Sequence, residues 1–219
     1  MRIRTIRPSL LLLFLLLSIL TSPSFGVTIA GTNTGAIPDG TGSNGCGTPR
    51  DINFAVSGAS TPILVSSLSF TGTHTFVGDL QVILIAPNAL QFVIFSYIGR
   101  QNLTGDFGDE SNFSGTYVFQ DSATLNIWTA ATGGTTAFNI PAGNYRTQAA
   151  GPSATDSPGP AFTSLITAFT GVPNPNGNWT LRFLDCAGAD TGNITAASMT
   201  FTGPTAAAAS IRGRVLTAD

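Results

Sequence analysis

The chain has 219 residues, 42% of them hydrophobic and only 9% charged, with a formal net charge of −2. That is enough apolar material for one mid-sized domain, and too little basic charge for a nucleic-acid or anionic-membrane binder. Glu110 is its single glutamate and lysine is absent, whereas Gly, Pro, Phe, Thr, Ser and Asn abound, so the composition turns away from helix and toward short strands joined by tight turns.

At the N-terminus, Arg2, Arg4 and Arg7 precede the apolar run Leu10–Leu20, and small residues follow at Ser24 and Gly26. This is the pattern of a secretory signal peptide over 1–26. The run is shorter than the roughly 20 residues that a spanning helix needs; a retained anchor is the alternative. Cleavage after Gly26 leaves six arginines against eleven acidic residues, so a secreted, mildly acidic chain with no membrane attachment is expected.

Residues 27–36 form a lead-in, and the Gly- and Thr-rich stretch 31–49 reads as irregular. Strand patterns then alternate with turns. Ile52–Val56 is the first. Ile63–Phe70 alternates, with Val65, Ser67 and Ser69 opposite Leu64, Leu68 and Phe70. Leu80–Ile85 and Gln91–Ser96 flank the hairpin-like break Ala86-Pro-Asn-Ala89, and Gly115–Gln120 is a further strand. The Gly-, Ala- and Pro-rich region 133–160 is expected to be a long loop, and 164–169 a short helical turn or a strand. Asn178–Leu184 puts Trp179, Leu181 and Phe183 on one face, and a turn through Gly188, Asp190 and Gly192 returns into Ile194–Phe201. About seven or eight short strands without interleaved helices point to an all-β sandwich or jelly roll. Over 204–219, the linker Ala206–Ser210 leads into Ile211–Asp219, which resembles the opening strand of the regulatory domain of carboxypeptidases, cut short. Cys46 and Cys186 either pair in an oxidising compartment, tying the start of the domain to its penultimate strand, or stand as two unrelated thiols.

The run His74-Thr-Phe-Val-Gly-Asp-Leu80, followed by Ile85-Ala-Pro-Asn88, resembles the P domain (P/Homo B domain) of proprotein convertases, a family of subtilisin-like proteases. Gly108-Asp-Glu-Ser111, Gly115–Ala123, Ile140–Arg146, Asn176–Asp185 and Gly188–Ile194 resemble later segments of that domain in the same order, so the resemblance covers 37–203. It implies a jelly-roll, galactose-binding-like β-barrel that stabilises or binds another protein. Its motif residues His74, Gly78, Asp79, Trp179, Asp185, Asp190 and Gly192 read as scaffold. Gly78 and Gly192 suit a positive φ or a close backbone approach. Asp79, Asp185 and Asp190 suit acceptors of turn N–H groups, and Trp179 suits a core anchor whose indole N–H finds a carbonyl.

Catalysis has little support in these residues. His74 is the one histidine, and neither a Gly-x-Ser-x-Gly elbow nor a subtilisin-type nucleophile segment accompanies it. Zinc is disfavoured by one His and two Cys. Asp106, Asp109, Glu110 and Asp121 are candidate oxygen ligands for calcium, with an ordinary solvated loop as the competing reading, since the spacing is not that of an EF-hand. Asn102, Asn112, Asn178 and Asn193 head glycosylation sequons that matter only in a glycosylating host. The expected function is therefore a secreted, non-catalytic P/Homo B module whose partner is a subtilisin-like catalytic domain or another extracellular protein. Two alternatives stand beside it: a component of a secreted serine protease whose catalytic domain lies elsewhere, and a carbohydrate- or adhesion-binding module.

Overall fold

A computed structural model describes residues 26–42, 45–102, 106–131, 133–151 and 159–202. The expected signal peptide, apart from Gly26, and the expected linker and carboxypeptidase-like strand lie outside the described residues.

Two antiparallel-dominated sheets pack face to face as an all-β sandwich. The larger sheet runs in the order β1 (Val27–Ala30), β11 (Gly192–Thr202), β4 (Leu64–His74), β7 (Asn112–Phe119) and β8 (Asn139–Ile140). Within it, β2 (Gly35–Ile37) also pairs with β11, and β9 (Gly143–Tyr145) joins β7 in parallel. The smaller sheet is β3 (Arg50–Val56), β10 (Gly177–Asp185), β5 (Leu80–Ile85) and β6 (Gln91–Ser96). Two short helices, α1 (Ile127–Ala131) and α2 (Leu165–Ala168), close the flanks.

Alternation along the strands decides what the sheets bury. Trp179, Leu181 and Phe183 of β10 all face inward, as do Phe113, Tyr117 and Phe119 of β7. Phe70 of β4 joins the layers: its ring stands edge-on to Phe183 at 5.1 Å and stacks on Tyr117 at 5.5 Å. Phe95 of β6 reaches Phe113 and Phe119 across the same gap, each at 5.5 Å. Trp179 donates its indole N–H to the Pro175 carbonyl at 2.8 Å and meets the Phe169 ring at 4.8 Å, edge to face.

Several elements differ from the sequence expectations, for local reasons. In β4, Val65 points inward and Leu64 is half-buried, because the register with β11 shifts between Thr200 and Phe201. That irregularity breaks the strict alternation. The strand also runs on to His74, because Gly72 pairs with Gly115 of β7 inside the sheet; glycine inside a strand erases the period-two signal. The irregular lead-in contains β1 and β2, and the expected loop at 133–160 contributes β8 and β9, each too short to leave a pattern. α1 was not expected. The 164–169 stretch holds α2, whose N-cap Ser164 accepts from Thr167 N–H at 3.4 Å.

Candidate functional site

Segments far apart in sequence meet at one end of the sandwich. Val77–Asp79 makes a single 3-10 turn between β4 and β5. Its approach to the 106–111 loop requires glycine at position 78, where a Cβ would fall on the Phe107 carbonyl. Gly78 N–H donates to Asp109 O at 3.1 Å and Val77 N–H to Ser111 O at 2.8 Å. Gly192 plays the matching part on β11, since a side chain there would strike the His74 ring. Neither glycine uses a left-handed φ; close approach alone explains both. Phe76, by contrast, is held at φ 65 at the start of the turn.

The disulfide Cys46–Cys186 fastens the 38–47 segment over the end of β10. Around it, Gly47 N–H donates to Asp185 O at 2.8 Å, Gly188 N–H to Gly42 O at 2.9 Å, and Cys186 N–H to Asp79 O at 3.0 Å. The bridge thus holds the floor and rim of this end in one piece.

Two buried polar pairs lie side by side beneath the rim. His74 and Asp185 meet through Nε2 and Oδ2 at 3.0 Å, with both side chains essentially inaccessible. Asp185 Oδ1 also accepts the Ala187 N–H at 3.2 Å, the turn role expected of it. On the far side of its ring, His74 Nδ1 is buried without a hydrogen bond, so among the described residues no hydroxyl stands where a Ser–His–Asp arrangement would need one. Asp79 departs from the expectation, because its carboxylate binds the Arg100 guanidinium rather than turn N–H groups. The reason is burial: the Asp79 side chain is 3% exposed and that of Arg100 1%, and a carboxylate at that depth needs a cation. Arg100 also lies over the Tyr97 ring, 5.1 Å from its centroid. Burial lifts the Asp79 carboxyl to about 6, against the downward pull of Arg100 and with a further push from Asp185 and Asp190. Asp190 likewise accepts from a side chain, the Thr75 hydroxyl at 2.9 Å, rather than from the backbone.

The four calcium candidates do not come together, and among the described residues no three His, Cys, Asp or Glu side chains group to hold a metal ion. Asp106 accepts the N–H groups of Gln101 at 2.5 Å and Gly108 at 2.9 Å. Burial works to raise its carboxyl, but these backbone donors hold it below the usual range. Asp109 turns onto Ser111. Asp121 caps α2 through Ser164 Oγ at 2.5 Å and Leu165 N–H at 2.8 Å. Asp106 and Asp109 thus serve their own loop, whereas Asp121 serves the start of α2.

Above the buried pairs opens a cavity of about 420 Å³, lined by Phe76, Asp79, Asp106, Phe107, Glu110 and Asp190 among others. Phe107 is 48% exposed. Sequence reasoning missed Arg100, Phe76 and Phe107. Arg100 could have been suspected as one of nine arginines in a lysine-free chain, preceded by Tyr97-Ile98-Gly99. The two phenylalanines carry no sequence signal that separates them from core rings. No helix among the described residues is long and apolar enough to cross a membrane. The disulfide is compatible with an extracellular protein. No family model matches the chain, and no curated protein matches it in sequence.

Proposed function

We propose that the chain is a secreted, non-catalytic accessory module of the P/Homo B type, which binds and stabilises a subtilisin-like catalytic domain or another extracellular protein. Residues 1–26 serve as its export leader, and the jelly-roll, galactose-binding-like form of the sandwich belongs to the same proposal. One observation carries it. Two of the resembling segments, His74–Leu80 and Asn176–Asp185, are far apart in sequence, yet they meet at one end of the sandwich through the 3.0 Å contact of His74 with Asp185, 111 positions away. A set of motifs selected to build one scaffold is expected to converge in this way.

Burial of His74 and Asp185, 2% and 1% exposed, supports a structural role for that pair, because a substrate cannot reach it. The test is co-sedimentation of the purified chain with a subtilisin-like catalytic domain, alongside fluorophosphonate labelling of the chain by itself. A co-sedimenting complex and an unlabelled chain are expected. Labelling of the chain, or sedimentation of the two proteins as separate species, would overturn the proposal.

A further inference from the structure

The Cys46–Cys186 bridge has two unlike ends. Cys46 is exposed, between Gly45 and Gly47, whereas Cys186, directly after β10, is 2% exposed. A thiolate from outside can therefore reach the first residue and not the second. The buried sulfur has a donor beside it, because the Tyr97 hydroxyl donates to Cys186 Sγ at 3.5 Å. Tyr97 stands there at φ 49, a left-handed backbone that is strained for a tyrosine. Its own N–H on the Leu80 carbonyl at 2.7 Å, and the Arg100 N–H on its carbonyl at 3.0 Å, hold it in that conformation. Burial raises the phenol above its ordinary range, with Arg100 pulling it down and Asp79 pushing it up, so it keeps the proton it donates. The Arg100 guanidinium lies over the same ring, 5.1 Å from its centroid. A disulfide sulfur is a weak acceptor that gains little from such a donor; a thiolate gains much more.

We propose that this bridge is a site of reversible thiol–disulfide exchange, at which a low-molecular-weight thiol becomes attached to Cys46 and Cys186 is the leaving sulfur. The incoming thiolate attacks Cys46 Sγ. A new sulfur–sulfur bond forms there, the Cys46–Cys186 bond breaks, and its electron pair departs on Cys186 Sγ. The step consumes no further oxidant: the small thiol is oxidised to the mixed disulfide while Cys186 is reduced to the thiolate. Tyr97 O–H donates to that thiolate at a depth where water does not reach it. The nearest acids, Asp185 beside Cys186 in sequence and Asp79 across from it, are engaged by His74 and Arg100. The reverse step is also built in. Gly47 N–H on Asp185 O at 2.8 Å and Gly188 N–H on Gly42 O at 2.9 Å keep the 38–47 segment seated, so the Cys186 thiolate stays near Cys46 and can expel the small thiol. This site is independent of the accessory role, and its chemistry needs no partner protein.

The full chain, incubated with reduced glutathione, quenched with acid, alkylated with N-ethylmaleimide and mapped by mass spectrometry, tests the proposal. The first product should carry glutathione on Cys46 and maleimide on Cys186, in a chain whose circular-dichroism spectrum is native. Removing glutathione before alkylation should restore the bridge. Tyr97→Phe deletes only the hydroxyl and should slow exchange of the folded chain about tenfold, whereas parent and variant should exchange at equal rates in concentrated urea. A tyrosine that merely packs against the bridge gives the opposite sign, since its loss would loosen the site and speed exchange. Glutathione on Cys186 or shared evenly between the two cysteines, adducts that form only once the chain unfolds, a bridge that does not re-form, or a Tyr97→Phe variant that exchanges as fast as the parent or faster would each overturn the proposal. The first three outcomes are read from the parent alone, so they decide the matter even where the variant does not fold.

Discussion

Replacing Cys46 and Cys186 together by alanine removes the covalent strap at the cavity end without leaving a free thiol. The bridge spans a sequence separation of 140, so the chain-entropy model assigns it about 5 kcal/mol through restriction of the unfolded ensemble. Loss of sulfur packing at Cys186, which is 2% exposed, adds about 1 kcal/mol. The hydrogen bonds of Gly47 to Asp185 and of Gly188 to Gly42, at 2.8 and 2.9 Å, can still form, and they keep the native arrangement accessible. Against a domain stability of about 5–15 kcal/mol, the double variant should lose a third or more of the total. Urea unfolding is the assay: the midpoint should fall, and the m-value should rise as the unfolded chain expands. A loss below about 1 kcal/mol with an unchanged m-value would refute the reasoning.

Further perturbations probe other parts of the account. Phe70→Ala removes the ring that joins both sheets and should cost about 3–5 kcal/mol in urea unfolding; a cost under 1 kcal/mol would mean the layers are not held together there. Asp79, raised to about 6 from 3.8, holds its proton more tightly folded than unfolded, so its contribution favours folding at low pH and is lost as pH rises through about 6. The stability of the parent relative to Asp79→Asn should therefore grow by about 2 kcal/mol between pH 7 and pH 4.5, and a shrinking difference would contradict the assignment. Asp121→Ala uncaps α2 and should cost about 1 kcal/mol, with enhanced amide exchange confined to 164–169. Arg182 and Asp51 meet at 2.7 and 2.8 Å on the outer face of the smaller sheet, half-exposed; a double-mutant cycle should give a coupling of no more than about 1 kcal/mol.

The long central strands were legible because nearly all of their inward positions are apolar, His74 and Asp185 at the strand ends excepted. β10 alternates Trp179, Leu181 and Phe183 with polar residues, and β5 is an almost unbroken apolar run, so both could be read without knowing their neighbours. The two- to four-residue strands at the edges were not legible, since hydrogen bonds from β11 and β7 define them more than any pattern of their own. At the site, the turn glycines and Asp185 could be placed by residue type. What could not be read was depth. Asp79 beside Gly78 resembles an ordinary turn aspartate until Arg100 comes to lie against it, and Asp121 resembles a loop acid until α2 starts beside it. Both outcomes depend on contacts between segments separated by about twenty to forty positions, which no local window contains.

Thermal inactivation of a subtilisin-like catalytic domain, followed with and without a molar excess of this chain, tests the proposed accessory role most directly. A midpoint raised by several degrees, saturating with concentration and abolished when the cavity-end disulfide is removed, is the predicted result. An inactivation curve that stays the same at every concentration of the chain would contradict it.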